Sequence, residues 1–268
     1  MTILTMRSAA IAAITLVMGS RISAQASPLM ARYRVSSDTL RYEINSPFAI
    51  AWIRGADTLR GPARSAWQLE SEAWRGTMNQ PEVVTRSDQL DFVGAAAVDS
   101  FTIRPDGTIS LRNGAPPTAD TWIDVYPVLP EAAVHAGLAW KHTVVTGDTT
   151  VPGAQLYRNV RAYVVERIVD TLGTRVVEIT AQGSVHIRLP LGAASWVEVD
   201  GPMTERVLFD LSRGRLLRRA SSMILSGRGV PTASTDTLPA RFQSTTLMEL
   251  IEPARARLLL DLAQHVRP

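Results

Sequence analysis

Apolar and polar residues alternate along much of the chain, a pattern typical of β-strands with one buried face. In residues 184–189, Val185, Ile187 and Leu189 fall on one face, and polar side chains fall on the other. The same alternation predicts a half-buried strand near residue 68, with one face apolar and the other polar. In this strand, Trp67 and Leu69 form the apolar face, and Gln68 and Glu70 form the polar face. A second strand repeats the pattern, with Val207 and Phe209 on one face and Arg206 and Asp210 on the other.

Three short turns separate runs of this kind. Pro105, Asp106 and Gly107 form the first, Leu172-Gly173 the second and Ser212-Arg213-Gly214 the third. Gly accepts the positive φ of tight turns, and Pro fixes φ at the turn entrance. Short links between neighbouring strands predict antiparallel hairpins rather than parallel crossover units.

Several predicted strands have apolar residues on both faces, for instance the strand that contains Val164 and Val165. Val164 and Ile168 would share one face, and Val165 and Val169 the other. Either a second layer covers the additional apolar face, as in a closed sandwich, or that face lines a cavity.

Helical spacing replaces the alternation only near the C-terminus. Leu258, Leu259, Leu262 and Val266 follow this spacing, and Pro253 suits the first turn of a helix. The sequence therefore predicts a mainly β fold: an antiparallel curved sheet, half-barrel or sandwich with one short C-terminal helix.

The first 26 residues have the layout of a bacterial signal peptide. Arg7 precedes an apolar run over residues 9–18, and Ala24 and Ala26 form an A-x-A cleavage site. The apolar run is shorter than the roughly 20 residues of a spanning helix. We expect cleavage after Ala26, export to the periplasm or the extracellular space, and no integral membrane span after cleavage.

A Pro-containing stretch, residues 113–117, interrupts the alternation. It predicts an N-terminal β region over residues 27–115 and a C-terminal β-meander with the helix over residues 116–268. One continuous domain, residues 27–268, is the alternative.

Leu129-Pro130, followed by Gly137 and Trp140, resembles the signature of a family of uncharacterised exported β-rich proteins of high-GC bacteria. The resemblance covers roughly residues 120–250 and includes the Phe209-Asp210 and Gly214-Arg215-Leu216 hairpin. More distantly, such chains are similar to periplasmic lipoprotein-carrier proteins, whose curved sheets enclose an apolar cavity. This second resemblance implies a fold class only.

The charge balance excludes several classes of protein. The chain has 28 basic and 25 acidic residues, a net charge of +3, and Lys141 is its only lysine. The arginines are dispersed rather than arranged in a stripe, so we predict no nucleic-acid binding. The chain has no cysteine, which excludes disulfides and a lipoprotein anchor.

Candidate chemistry is sparse. The four histidines are His135, His142, His186 and His265, and none has a partner at a recognised metal-ligand spacing. Asp120 and Asp124 flank Trp122, an arrangement compatible with sugar chemistry, but a polar loop leading into Tyr126-Pro127 is the favoured interpretation. No Gly-x-Ser-x-Gly motif occurs. We therefore predict no catalytic residue, no metal and no cofactor.

These observations predict an exported, non-enzymatic envelope protein that binds an apolar, lipid-like ligand or a protein partner through its curved sheet. The candidate ligand-binding residues are Trp122, Asp124, Trp140 and His142. Trp140 has a second interpretation as a packing anchor, in which case Trp140→Ala would cost roughly 3–5 kcal/mol. The alternative function is a secreted hydrolase with an unrecognised active site.

Overall fold

The computed structural model describes residues 28–64, 67–77, 80–90, 97–111, 126–147, 154–171, 173–192, 194–232 and 234–265. Within them the chain forms strands and one short helix, which confirms the predicted mainly β fold. The strands are β1 (Leu40–Asn45), β2 (Phe48–Arg54), β3 (Asp57–Arg64), β4 (Trp67–Thr77), β5 (Gln80–Gln89), β6 (Ala97–Ile103), β7 (Ile109–Leu111), β8 (Ala139–Gly147), β9 (Leu156–Thr171), β10 (Thr174–Pro190), β11 (Trp196–Asp210), β12 (Arg215–Val230) and β13 (Leu238–Leu250), and the helix is α1 (Pro253–His265).

The strands form one large antiparallel sheet that is not closed. Their order is β7-β6-β5-β4-β1-β13-β12-β11-β10-β9-β8, and the β2–β3 hairpin branches from β13. β13 pairs with β2 along its first half and with β1 along its second half. Strands from both sides of residue 115 therefore belong to the same sheet.

The three predicted hairpins are present as β6–β7, β9–β10 and β11–β12. Their turn glycines, Gly107, Gly173 and Gly214, have φ of 93°, 75° and 66°. Gly107 is needed for a second reason, because a Cβ there would lie 2.5 Å from the carbonyl oxygen of Pro127. The β6–β7 turn therefore packs closely against the segment that precedes β8.

A β-bulge changes which residues of β9 face inward. The pairing of β9 with β10 skips Glu166, so the alternation shifts by one residue after it. Val165 and Ile168 both contact the core, whereas Val164 and Val169 are 36% and 41% exposed. The prediction that Val164 and Ile168 share a face is wrong, because a bulge reverses the faces without changing the composition of the strand.

One face of the sheet, called here the inner face, carries the main core. Two segments outside the sheet, residues 28–36 and 126–134, cover it. Tyr33 and Tyr126 project from these segments. The Tyr33 ring packs edge-on against Phe209, with 5.1 Å between the ring centroids. A second apolar cluster covers the far ends of the long strands, under the β2–β3 hairpin.

β4 is buried on both faces. Leu69 lies under the helix, as the alternation predicts for an apolar residue. Gln68, Glu70 and Glu72 are also buried, on the inner face. The expectation of a polar, solvated face at Gln68 and Glu70 is therefore wrong, because the inner face of β4 is enclosed by the rest of the fold.

Helix α1 begins at Pro253, as predicted, and packs on the outer face of the sheet. Its buried residues are Ala256 and Leu259, whereas Leu258 is 58% exposed, contrary to the predicted apolar face. The side chain of Leu262, and Val266, lie outside the described part. The buried residues of this cluster are Leu69, Leu90, Ile251, Ala256 and Leu259.

Candidate functional site

The open sheet brings its two end strands, β7 and β8, to either side of a cavity. We call it the seam cavity; it has a volume of about 210 Å³. Ile109 of β7 forms one wall, Tyr126 and Val128 form a second, and β8 forms a third. Among the described residues, the lining consists of residues 107–109, Tyr126, Val128, residues 142–146 and Arg161.

β8 lines the seam cavity because its side chains alternate between a buried and an exposed face. Trp140, His142, Val144 and Thr146 are more buried than the residues between them. Since successive strand residues point to opposite faces, these four share the inner face. Lys141 lies on the exposed side of this end strand, where a charged side chain discourages pairing with another chain.

Trp140 is a packing residue next to the site. Its ring stacks on Tyr163 with 5.0 Å between centroids and 8° between planes. Its Nε1 donates a 2.9 Å hydrogen bond to the carbonyl oxygen of Val128. It also lines a neighbouring cleft of about 410 Å³ together with His142. The structure therefore places two of the four predicted ligand-binding residues side by side.

His142 lies between the seam cavity and the neighbouring cleft and lines both. It is half-buried and pairs across the strands with Arg161. Burial lowers the pKa of the imidazole, and the charge of Asp106 partly opposes this shift. At neutral pH, His142 is therefore an uncharged donor or acceptor at the cavity.

The remaining sequence-predicted residues lie outside the described part of the chain. These are Trp122 and Asp124, with Asp120 beside them, and the predicted cleavage residues Ala24 and Ala26. Their roles stay predictions.

A buried ion-pair cluster adjoins the seam cavity. Arg161 lines the cavity, and its Nη1 lies 3.1 Å from Oε2 of Glu205. Nε of Arg219 donates to Oε1 of Glu205 at 2.9 Å. Between β9 and β11, the inner face of β10 has only the small residues Ala181 and Gly183 at this level, which leaves space for Arg161 to cross.

The electrostatics of this cluster favour an ionised carboxylate. Burial alone would raise the pKa of Glu205, but Arg219 and Arg161 outweigh it and hold the pKa below its usual range. The cluster contains two guanidinium groups and one carboxylate, all nearly inaccessible to solvent. The two guanidinium groups therefore stabilise the ionised form of Glu205 in this buried position.

Thr146 lies further along β8 in the same cavity. Its side chain is 5% exposed, and its Oγ1 has no hydrogen-bond partner among the described residues. A buried hydroxyl without a partner is unfavourable, and such groups in folded proteins call for an explanation. A ligand in the seam cavity would supply the missing partner.

A second buried polar cluster meets the cavity through Tyr126. The Tyr126 hydroxyl donates to Oε1 of Glu72, and Nε1 of Trp74 donates to Oε2 at 2.9 Å. Burial raises the pKa of Glu72 to about 7, and hydrogen bonds from Tyr126, Trp74 and Glu70 partly offset this rise. The protonation of Glu72 is thus connected to one wall of the seam cavity.

Sequence reasoning missed Arg161, Glu205, Thr146 and Glu72. A signal for three of them exists. Glu205 occupies an inward position of an otherwise apolar strand face, Arg161 precedes the inward residues Tyr163 and Val165, and Glu72 continues the polar row of Gln68 and Glu70. A charged residue at a core-facing position is rare unless it is paired. The identity of the partners depends on which strands become neighbours.

Within the described residues, no group of three or more His, Asp or Glu side chains is arranged to hold a metal ion. None of the helical structure described is long and apolar enough to cross a bilayer. No protein-family model matches the chain, and no curated protein is significantly similar to it.

Proposed function

We propose that this protein is exported and acts as a non-enzymatic binding protein of the cell envelope, with the seam cavity as its ligand site. The signal-peptide pattern of residues 1–26 supports export. The observation that carries the binding proposal is an apolar-walled cavity at the open edge of the sheet. It contains the hydroxyl of Thr146, which has no hydrogen-bond partner in the described part of the chain.

The size of the cavity limits the ligand. An apolar cavity of about 150 Å³ accepts a benzene molecule, and the seam cavity measures about 210 Å³. The chain's own segments cover much of the inner face that a carrier-like fold would offer to a lipid. A compact ligand with about six carbon atoms fits the described space better than a whole lipid.

The apolar walls favour a ligand with an apolar body. Ile109, Val128 and Val144 contribute these walls from three different segments. Ligand sites of proteins commonly combine such walls with a few polar groups that orient the ligand. On the inner face of β8, Thr146 and His142 supply such polar groups.

Titration calorimetry with hexanol and hexanoate tests the proposal. We expect at least one of them to bind, and Val144→Phe to weaken that binding at least tenfold because the larger ring fills the cavity. Val164→Phe is the matched control, since Val164 lies on the exposed face of β9. Absence of binding by both compounds would overturn the ligand proposal.

Export is tested separately by the mass of the protein recovered from the periplasm or the medium. A chain that starts at Ser27 agrees with cleavage after Ala26, whereas an intact Met1 in a membrane fraction contradicts it.

Turnover of a small ester that disappears in His142→Ala would favour the hydrolase alternative, because His142 is the cavity's uncharged imidazole.

A further inference from the structure

We infer that the ligand of the seam cavity is a linear molecule with a hydroxyl group at each end, one bound by Thr146 and the other by His142. This inference rests on the proposed function and adds the chemical class of the ligand. It combines a polar side chain at each end of the cavity, the apolar walls between them, and the Thr146 hydroxyl, which has no hydrogen-bond partner among the described residues.

The two polar side chains lie at opposite ends of the seam cavity. His142 lines both this cavity and the neighbouring cleft, whereas Thr146 lines the seam cavity and not the cleft. His142 therefore marks the end next to the cleft, and Thr146 marks the far end. Both side chains are on the inner face of β8, four residues apart, so their Cα atoms are separated by about 13 Å.

The surface between these two ends is apolar. Val144 lies midway between His142 and Thr146 on the same face of β8. Ile109 and Val128 approach the cavity from two other segments. A ligand that reaches from one polar side chain to the other therefore needs an apolar body, because a polar group buried without a hydrogen-bond partner costs free energy.

Hydroxyl groups match both ends of the cavity. A hydroxyl donates and accepts, so it pairs with the hydroxyl of Thr146 in either role. The uncharged imidazole of His142 has one donor and one acceptor nitrogen, and a hydroxyl pairs with either of them, whereas a carboxylate only accepts. Arg161 also reaches the lining, but its Nη1 already donates to the hydroxyl of Tyr163 and contacts Glu205.

The spacing of the two side chains sets the length of the ligand. Hydrogen bonds of about 3 Å that point inward from both side chains leave at least about 7 Å between the ligand's polar ends. With ordinary bond lengths and angles, extended hexane-1,6-diol separates its oxygens by about 9 Å and butane-1,4-diol by about 6 Å. The longer diol therefore reaches both side chains, and the shorter diol reaches one at a time.

Titration calorimetry on the full chain with diols and the matching monoalcohols tests the inference. We expect hexane-1,6-diol to bind about tenfold more tightly than hexan-1-ol, because its second hydroxyl adds a hydrogen bond at the other end of the cavity. Butane-1,4-diol should gain little over butan-1-ol. This length series uses the unaltered chain, so it does not depend on the folding of a variant.

Thr146→Val and His142→Phe are the informative variants. The first replaces the hydroxyl by a methyl group of similar size, and the second keeps a planar ring without its nitrogens. Each should abolish the advantage of hexane-1,6-diol over hexan-1-ol, because the diol then has a partner at one end only. Ser244→Ala is the control, since it removes a buried hydroxyl that donates to the carbonyl oxygen of Pro47, and it should leave the advantage unchanged.

The outcomes separate the two proposals. Equal binding of hexane-1,6-diol and hexan-1-ol leaves the ligand site in place and overturns the inference of a two-ended ligand. An advantage of the diol that persists in Thr146→Val or His142→Phe also overturns it, as does tighter binding of hexanoate than of the diol. Failure of hexan-1-ol, hexanoate and the diol to bind overturns both proposals.

Discussion

Glu205 and Glu72 are both buried on the inner face, but their pKa values are shifted in opposite directions. Arg219 and Arg161 hold the pKa of Glu205 below its usual range, although desolvation opposes them. Desolvation raises the pKa of Glu72 to about 7, because hydrogen bonds offset it only in part. Equal burial of the same side chain therefore gives a charged group in one cluster and a proton-binding group in the other.

The neighbours that cause this difference come from the tertiary structure. Glu205 contacts Arg161 two strands away, across the small residues of β10, and Arg219 on the adjacent strand. Glu72 contacts Tyr126 from a segment outside the sheet and lies near Glu70 on its own strand. A buried carboxylate beside guanidinium groups stays ionised, whereas one whose desolvation is opposed only by hydrogen bonds retains a proton to higher pH.

Glu205→Gln should have the largest effect. It removes the carboxylate that lies between Arg161 and Arg219, and breaking a buried ion pair from one side costs about 3–5 kcal/mol of unfolding free energy. Urea denaturation at pH 7 measures the loss. Glu249→Gln, at the exposed 3.8 Å pair with Arg218, should change stability by less than about 1 kcal/mol. Equal effects of the two variants would show that the buried cluster contributes no more to stability than an exposed ion pair.

The pH dependence of stability tests the second cluster. The pKa of Glu72 is raised from 4.5 to about 7 in the folded chain, so the folded state binds more protons than the unfolded state between these values. Stability should therefore fall as pH rises from about 4.5 to 7, by on the order of 3 kcal/mol.

Glu72→Gln should remove most of this fall, since Gln does not titrate. Its stability relative to wild type should rise with pH and be greatest near pH 8. Denaturation curves at pH 5, 6, 7 and 8 measure both proteins. Glu205 does not add to this slope, because its lowered pKa contributes stability that is lost only as pH falls. Equal slopes in wild type and Glu72→Gln would contradict the raised pKa of Glu72. The comparison is made between the two proteins because His142, whose pKa burial lowers, adds the same opposing slope to both.

Trp140→Ala should destabilise the chain by about 2 kcal/mol, less than the roughly 3–5 kcal/mol expected for a fully buried ring. Trp140 is half-buried, but it stacks on Tyr163, whose hydroxyl accepts from Arg161 of the charged cluster. Trp140→Phe keeps a stacked ring and loses the hydrogen bond to Val128, so it should cost about 1 kcal/mol. An unchanged denaturation midpoint in Trp140→Ala would exclude this packing role.

Tyr126→Phe should have the smallest effect, about 1 kcal/mol near pH 8. Its hydroxyl stabilises ionised Glu72, so its removal should raise the pKa of Glu72 further and move the fall in stability to higher pH. Tyr33→Phe is the matched control, because that hydroxyl donates to the carbonyl oxygen of Pro127 instead of Glu72. A shift of the pH profile in both variants would exclude a specific link between Tyr126 and Glu72.

The sequence predicted the strands, turns and helix more successfully than it predicted which strand residues face the core. The turns at Gly107, Gly173 and Gly214 carry local chemical signals, and all three hairpins are present. The faces of Val164 and Ile168 were predicted wrongly, because the bulge at Glu166 depends on pairing with β10. Trp140 and His142 were found as candidates, whereas Arg161 and Thr146 were not.

The sequence by itself determined the β class, the antiparallel hairpins and the C-terminal helix, because alternation and turn chemistry act over a few residues. Only the tertiary structure decided that β7 and β8 flank a cavity, and that Glu205 meets arginines while Glu72 meets Tyr126 and Glu70. Charge state depends on desolvation and on neighbours within a few ångströms. Strand order brings those neighbours together from distant parts of the chain, so no local pattern contains them.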